Sequence, residues 1–214
     1  MFSNRYIFIY STVLVVVAAA ILAVAAVGLK PYQEANTRIE NKQQLLSCVG
    51  ISSTTKNAEA LYEQYFTEEV AVNAQGEEIK ANDDTKPVYI CTKDGKKIYV
   101  VPVVGKGLWG SLWGNVALAD DLTTVVGVNF GHSSETPGLG AEITTKPFQQ
   151  QFEGKAIFDG TVFTSVKVEK RVGKDNPHAV DAISGGTITS KGVSAMLNDC
   201  LMFYIPYFNR LKTK

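Results

Sequence analysis

The chain is poor in the residues that carry reactive chemistry. It holds three cysteines and two histidines in 214 residues. No two of Cys48, Cys91 and Cys200 form a C-x-x-C pair, and their spacing matches no zinc site. They read as small buried side chains, with a single disulfide among them left open. No metal site is expected. No block of one charge sign stands out either, since Lys+Arg and Asp+Glu number 21 each. A nucleic-acid partner is therefore not expected. Strand and helix patterns do not alternate along the chain, so a Rossmann-type dinucleotide site is not supported. Internal repeats and low-complexity tracts are absent as well.

Charge is also missing from residues 6–29, a long apolar run flanked by Arg5 and by Lys30-Pro31. About 20 apolar residues span a bilayer as a helix. Tyr6 and Tyr10 suit one interfacial belt. A cleavable signal peptide is the competing reading, because Ala23-Val24-Ala25 resembles a cleavage site. Signal peptides usually have apolar cores of only about 7 to 15 residues. Residues 1–30 are therefore expected to be an uncleaved single transmembrane anchor. Arg5 and the α-amine face Lys30, Arg38 and Lys42 across the run. Taken literally, that count puts the body of the protein in the cytoplasm.

Residues 31–86 read as a juxtamembrane helical region. Ile39, Leu45, Leu46 and Val49 are spaced for a helix continuing from the anchor. Residues 56–72 carry a second helical pattern through Ala60, Leu61, Tyr65 and Phe66. Turns follow around Gly76 and residues 82–84. Residues 87–214 have a different texture. Strands are expected at 87–91, at 97–104 after the Asp94-Gly95 turn, and at 115–119 and 123–130 around a hairpin at Asp120-Asp121. Shorter strands are expected at 160–163 and 165–168. Residues 189–211 are helical in pattern, with Val193, Met196, Leu197, Cys200, Leu201 and Tyr204 on the apolar side. Pro206 is expected to break or end that helix. Strands grouped together with helices at the ends make an α+β fold, here a single N-terminal transmembrane helix followed by one α+β domain.

Three glycine-rich stretches can hold a ligand. In residues 181–190, Gly185 and Gly186 allow close backbone approach. Thr189 or Ser190 is placed to cap the helix that follows. Free amides at a helix start, the helix dipole and Lys191 together favour an anion such as a phosphate. Ordinary turn chemistry before a helix explains the same residues. Residues 105–114 hold Trp109 and Trp113 beside flexible backbone, which suits a planar aromatic ligand, although core packing explains them too. In residues 135–140, Glu135 and Thr136 adjoin Pro137-Gly138, a type II turn signal.

Together these stretches resemble one family. Asp181 to Thr187, Asp-x-x-Ser-Gly-Gly-Thr, is similar to the flavinylation signature of FMN-binding domains. Glu135 to Gly140 is similar to a second hallmark of that domain. The Gly-Leu-Trp of residues 107–109 resembles the form found in the C subunit of the sodium-translocating NADH:quinone reductase. The G subunit of the related Rnf complex usually lacks that tryptophan. The anchor and the order of motifs are also similar to the reductase's C subunit. One departure is Gly186, where the family usually has alanine.

The resemblance implies that residues 87–214 form an FMN-binding domain. It implies FMN joined to Thr187 by a phosphoester, attached by a flavin transferase that uses FAD and a divalent metal, with Asp181 assisting recognition or proton removal by that enzyme. Ser184, Gly185, Gly186, Thr189 and Lys191 would surround the phosphate. Trp109, Thr136 and Leu139 would hold the ring, with Glu135 making a polar contact. No residue is assigned a catalytic role, and His132 and His178 are assigned none. The implied protein is an electron-carrying subunit in a bacterial inner membrane, with its flavin domain extracytoplasmic and the other subunits of the reductase as partners. NADH oxidation, quinone reduction and sodium movement would belong to the assembly. That topology opposes the charge count and takes precedence over it, because a few basic residues rarely fix the fate of a large domain. The alternatives are an Rnf-type or other extracytoplasmic FMN carrier, or a cofactor-free membrane-anchored binding module.

Overall fold

A computed structural model describes residues 3–172 and 175–213. The chain divides into two units, Met1–Asn41 and Lys42–Lys214. The described part of the first consists almost wholly of helix α1 (Asn4–Cys48), which continues through Pro31. Its length and composition are sufficient to cross a membrane. The Tyr6 and Tyr10 rings stack near its start, 6.3 Å apart.

The second unit is built on an antiparallel meander. Strands β1 (Phe66–Val72), β2 (Lys86–Lys93), β3 (Lys96–Lys106), β4 (Ser111–Leu118) and β5 (Val125–His132) pair in sequence order. Asp94 and Gly95 both take positive φ, 52° and 73°, which is the type I′ geometry that suits a two-residue hairpin. Asp121 Oδ1 accepts from the amides of Thr123 and Thr124, both at 2.8 Å. Those two threonines, expected to open a strand, therefore belong to the turn, and β5 starts at Val125.

Ile98, Tyr99, Val100 and Val101 are consecutive and all buried, so both faces of the sheet are covered. Helix α4 (Thr187–Lys212) covers one face through Val193, Met196, Leu197, Leu201, Tyr204 and Phe208. The last turn of α1 meets the other. Cys48 Sγ lies 3.4 Å from the carbonyl oxygens of Asn115 and Gly127, and Asn129 Nδ2 donates to the Gln44 carbonyl at 2.7 Å. A side chain at Gly127 would strike the Cys48 carbonyl. The helix then ends in a Schellman motif. The Ile51 amide reaches back to Leu46 O, the Gly50 amide to Ser47 O, and Gly50 takes a φ of 72°.

Between β5 and α4 the chain is short-segmented. Helix α3 (Lys146–Gln149) lies between two 3-10 turns, Gly140–Thr144 and Gln150–Phe152. Phe130, Phe148 and Phe152 meet edge-on, with centroids 5.3 Å and 5.5 Å apart for the two closest pairs, and hold this segment on β5. Strands β6 (Phe158–Asp159) and β7 (Val162–Phe163) form a small hairpin, and β8 (Lys167–Glu169) pairs in parallel with β9 (Ala179–Asp181).

Several local expectations are corrected. The helical pattern of residues 56–72 yields only α2 (Ala58–Tyr65), and β1 follows at once because residues 66–72 pair with β2. Residues 160–163 are not one strand, since Gly160, at a φ of 57°, turns the β6–β7 hairpin. Ser165 also has positive φ, 59°, and delays β8 to Lys167. Helix α4 begins at Thr187 and passes through Pro206 to Lys212. The proline is accommodated inside it, and its backbone is covered so closely by Gly76 that a side chain there would collide.

Candidate functional site

The three glycine-rich stretches converge on one carboxylate. Glu135, just past the end of β5, is 5% exposed. Its Oε1 accepts from the Trp109 amide at 2.8 Å, and its Oε2 accepts from the Thr189 hydroxyl at 2.5 Å. Side chains at Gly107 or Gly140 would overlap those same oxygens. The missing Cβ atoms thus create the space in which the carboxylate sits. Burial alone would raise its pKa. The Thr189 hydroxyl and the amides of Trp109, Leu108 and Gly110 outweigh that effect and hold the group below the usual carboxylate range. The Glu135 amide donates to His132 Nδ1 at 3.1 Å, so that ring nitrogen is an acceptor.

Around this centre lies a set of exposed groups. The β3–β4 hairpin turns at residues 107–110, closed by Gly107 N to Gly110 O at 2.8 Å. Gly105, Gly107 and Gly110 have G-x-G-x-x-G spacing, but they join two antiparallel strands and open no helix, so they form no dinucleotide fingerprint. Trp109 projects from the hairpin, 67% exposed, an unusual state for the largest apolar side chain. Trp113 lies on β4 and is partly exposed. Gly138, with a φ of 75°, forms the adjacent turn and leaves Thr136 and Leu139 at the surface. Leu139 packs over Gly185, where a Cβ would come within 2.6 Å of its side chain. The second stretch therefore touches both of the others.

The third stretch ends in α4. Gly185 takes a φ of 74°, and Gly186 is the N-cap. No side-chain hydrogen bond caps the helix. The cap expected from Thr189 or Ser190 is not formed. Thr189 is turned to Glu135, and Ser190 Oγ accepts the Ile183 amide at 3.2 Å. The first helical amides lack intrahelical acceptors by geometry, and the first turn carries no acid. Such a start can take phosphate oxygens. Thr187 is its first residue, half-buried, with exposed Ser184 and Gly185 before it and exposed Lys191 one turn on. Thr187 and Lys191 also line an open groove of about 780 Å³ with Lys167, Val168 and Lys170, so the threonine is approachable.

The remaining named residues have structural partners. Asp181 is exposed at the end of β9, and its Oδ1 accepts the Val172 amide at 2.8 Å. His178 Nδ1 lies 2.7 Å from Ala156 O and 3.3 Å from the Thr164 hydroxyl, and belongs to the framework. Cys48, Cys91 and Cys200 are free and buried.

An uncapped glycine-lined helix start next to surface-held Trp109 and Leu139 suits a ligand with a phosphate and a flat ring, and so the residues present fit FMN. The class is borne out by comparison, since the FMN-binding domain family matches residues 107–202. The C subunit of the Na(+)-translocating NADH-quinone reductase of Neisseria meningitidis is 32% identical over 92% of this chain and 90% of its own. The C subunit of the same reductase from Vibrio vulnificus is 32% identical over 83% and 82%. The crystal structure of the C subunit from Parabacteroides distasonis superposes with a TM-score of 0.79 at 36% identity, covering 84% of this chain and 96% of that one. The chain belongs to the family of C subunits of the Na(+)-translocating NADH-quinone reductase, an oxidoreductase complex. The resemblance read from residues 107–109, 135–140 and 181–187 is thereby confirmed at the level of the family.

Proposed function

We propose that this chain carries FMN covalently on Thr187 and serves as an electron-carrying subunit of a sodium-translocating NADH:quinone reductase. The observation that carries this reading is the start of α4, where Thr187 follows Gly185-Gly186 at an uncapped helix terminus. The attachment forms a bond between Thr187 Oγ and the FMN phosphorus and breaks the anhydride of FAD. AMP is released, and the flavin transferase takes up the hydroxyl proton. Asp181, exposed six residues earlier, is the recognition point for that enzyme. The amides at the start of α4 and Lys191 neutralise the phosphate. Trp109, Thr136 and Leu139 hold the ring at the surface, where a redox partner can approach. The bound flavin supplies reversible electron transfer, and the protein sets its position and potential. Helix α1 anchors the chain in the inner membrane, with the domain on the extracytoplasmic side and the other reductase subunits as partners.

Intact-mass analysis of the full chain co-expressed with a flavin transferase tests the reading. The expected result is an added mass of FMN less one water in the wild type and none in Thr187→Val. An unmodified wild-type chain beside an active transferase would overturn it.

A further inference from the structure

Glu135 is the one buried charged side chain among the described residues. Taking a carboxylate out of water is costly unless strong donors replace the water. Here the donors come from segments far apart in sequence. The Trp109 amide lies 26 residues before Glu135 and the Thr189 hydroxyl 54 residues after it. Each oxygen serves a different segment. The Trp109 carbonyl is tied as well, accepting from Ser134 Oγ at 3.2 Å. Both backbone groups of Trp109 are therefore fixed by the consecutive residues 134 and 135, while its indole stands in solvent without burial to orient it. At the other end, Thr189 lies two residues from Thr187 in the same first helical turn.

We infer that Glu135 is a positioning residue, a pin whose two oxygens fix the Trp109 backbone relative to the first turn of α4 and so set where the indole stands with respect to a group carried on Thr187. This rests on the reading of Thr187 above and goes beyond it. Glu135 acts through Trp109 and Thr189 and does not itself contact the flavin. Charge-assisted hydrogen bonds suit the task, being shorter and stronger than neutral ones.

The test uses the full chain in detergent, with and without covalent flavin, as wild type, Glu135→Gln and Thr189→Val. Thr189→Val removes one tether and leaves the carboxylate in place. In the flavin-free chain, hydrogen exchange at the Trp109 amide is expected to accelerate roughly tenfold or more in Glu135→Gln, beyond any change at the Val101 amide in the core. In the flavin-loaded chain, both variants are expected to show the same altered visible circular dichroism, because both release the indole from α4. A changed spectrum in Glu135→Gln beside a wild-type spectrum in Thr189→Val would overturn the inference and make Glu135 a direct flavin ligand. Parallel acceleration at Trp109 and Val101 would also overturn it, leaving Glu135 a general stability residue. Should the wild type accept no flavin, the function proposed above falls, and Trp109 exchange in the flavin-free chain still decides whether the pin exists.

Discussion

Replacing Gly140 by alanine places a methyl group where Glu135 Oε2 and Thr189 Oγ1 now meet. The backbone of Gly140 is not in the left-handed region, so the whole effect is steric. Two costs combine. Separating the hydroxyl from the carboxylate forfeits a hydrogen bond to a charged group, about 1.5–3 kcal/mol. Crowding a closed site adds about 1–3 kcal/mol. A loss of about 4 kcal/mol is expected. For a domain of this size each kcal/mol lowers Tm by about 2–4 °C, so unfolding should move down by roughly 10 °C. Thermal unfolding followed by circular dichroism reads this directly. Gly138→Ala is the control, because its φ of 75° is unfavourable for alanine but nothing lies within 4 Å of the added methyl. It should lose only about 1 kcal/mol. Equal Tm values for the two variants would refute the view that the glycines here exist to make room for the carboxylate.

Three further outcomes are expected. Gly186→Ala introduces a Cβ 3.0 Å from Ile183 Cγ2 at a position outside the positive-φ region, so stability should stay within about 1 kcal/mol of wild type and the flavin mass should still be added. Glu135 has a pKa depressed by folding, so its contribution is complete above the unfolded value of about 4.3 and is lost as pH falls through the lower folded value. The Tm gap between wild type and Glu135→Gln should accordingly be widest near pH 7 and shrink below about pH 4. Burial pushes the Cys91 thiol up to about 11 and the Cys48 thiol higher still. Peptide mapping after iodoacetamide at pH 8 should find both unmodified in the native chain and alkylated in urea.

The parts of the fold legible in the sequence are those where local pattern and tertiary partner agree. The apolar run of α1, the strand-like apolar runs of β2 and β3 around Asp94-Gly95, and the apolar stripe of α4 are of this kind. Strand β1 was hidden because Ala60, Leu61, Tyr65 and Phe66 keep helical spacing into the strand, and only pairing with β2 ends the helix at Tyr65. Pro206 looked like a stop, yet packing on both sides holds the helix through it. At the site, the residue types and their grouping were readable, while the inward turn of Glu135 was not. A carboxylate beside Pro-Gly reads as surface chemistry. Its signal lay elsewhere, in Gly107 and Gly110 of the β3–β4 hairpin and in Gly140 five residues on, which crowd against Glu135 and its serine neighbours.

The placement of α4 has a consequence for biogenesis. The meander β1–β5 pairs neighbours in sequence and can assemble while the chain is still being made. Its α4 face stays bare until Met196, Leu201, Tyr204 and Phe208 arrive with the last part of the chain. Thr187 opens that same helix. A chain in which α4 has not formed therefore exposes an apolar sheet face and presents no helix terminus at Thr187, so the attachment proposed at that residue requires α4 to be in place.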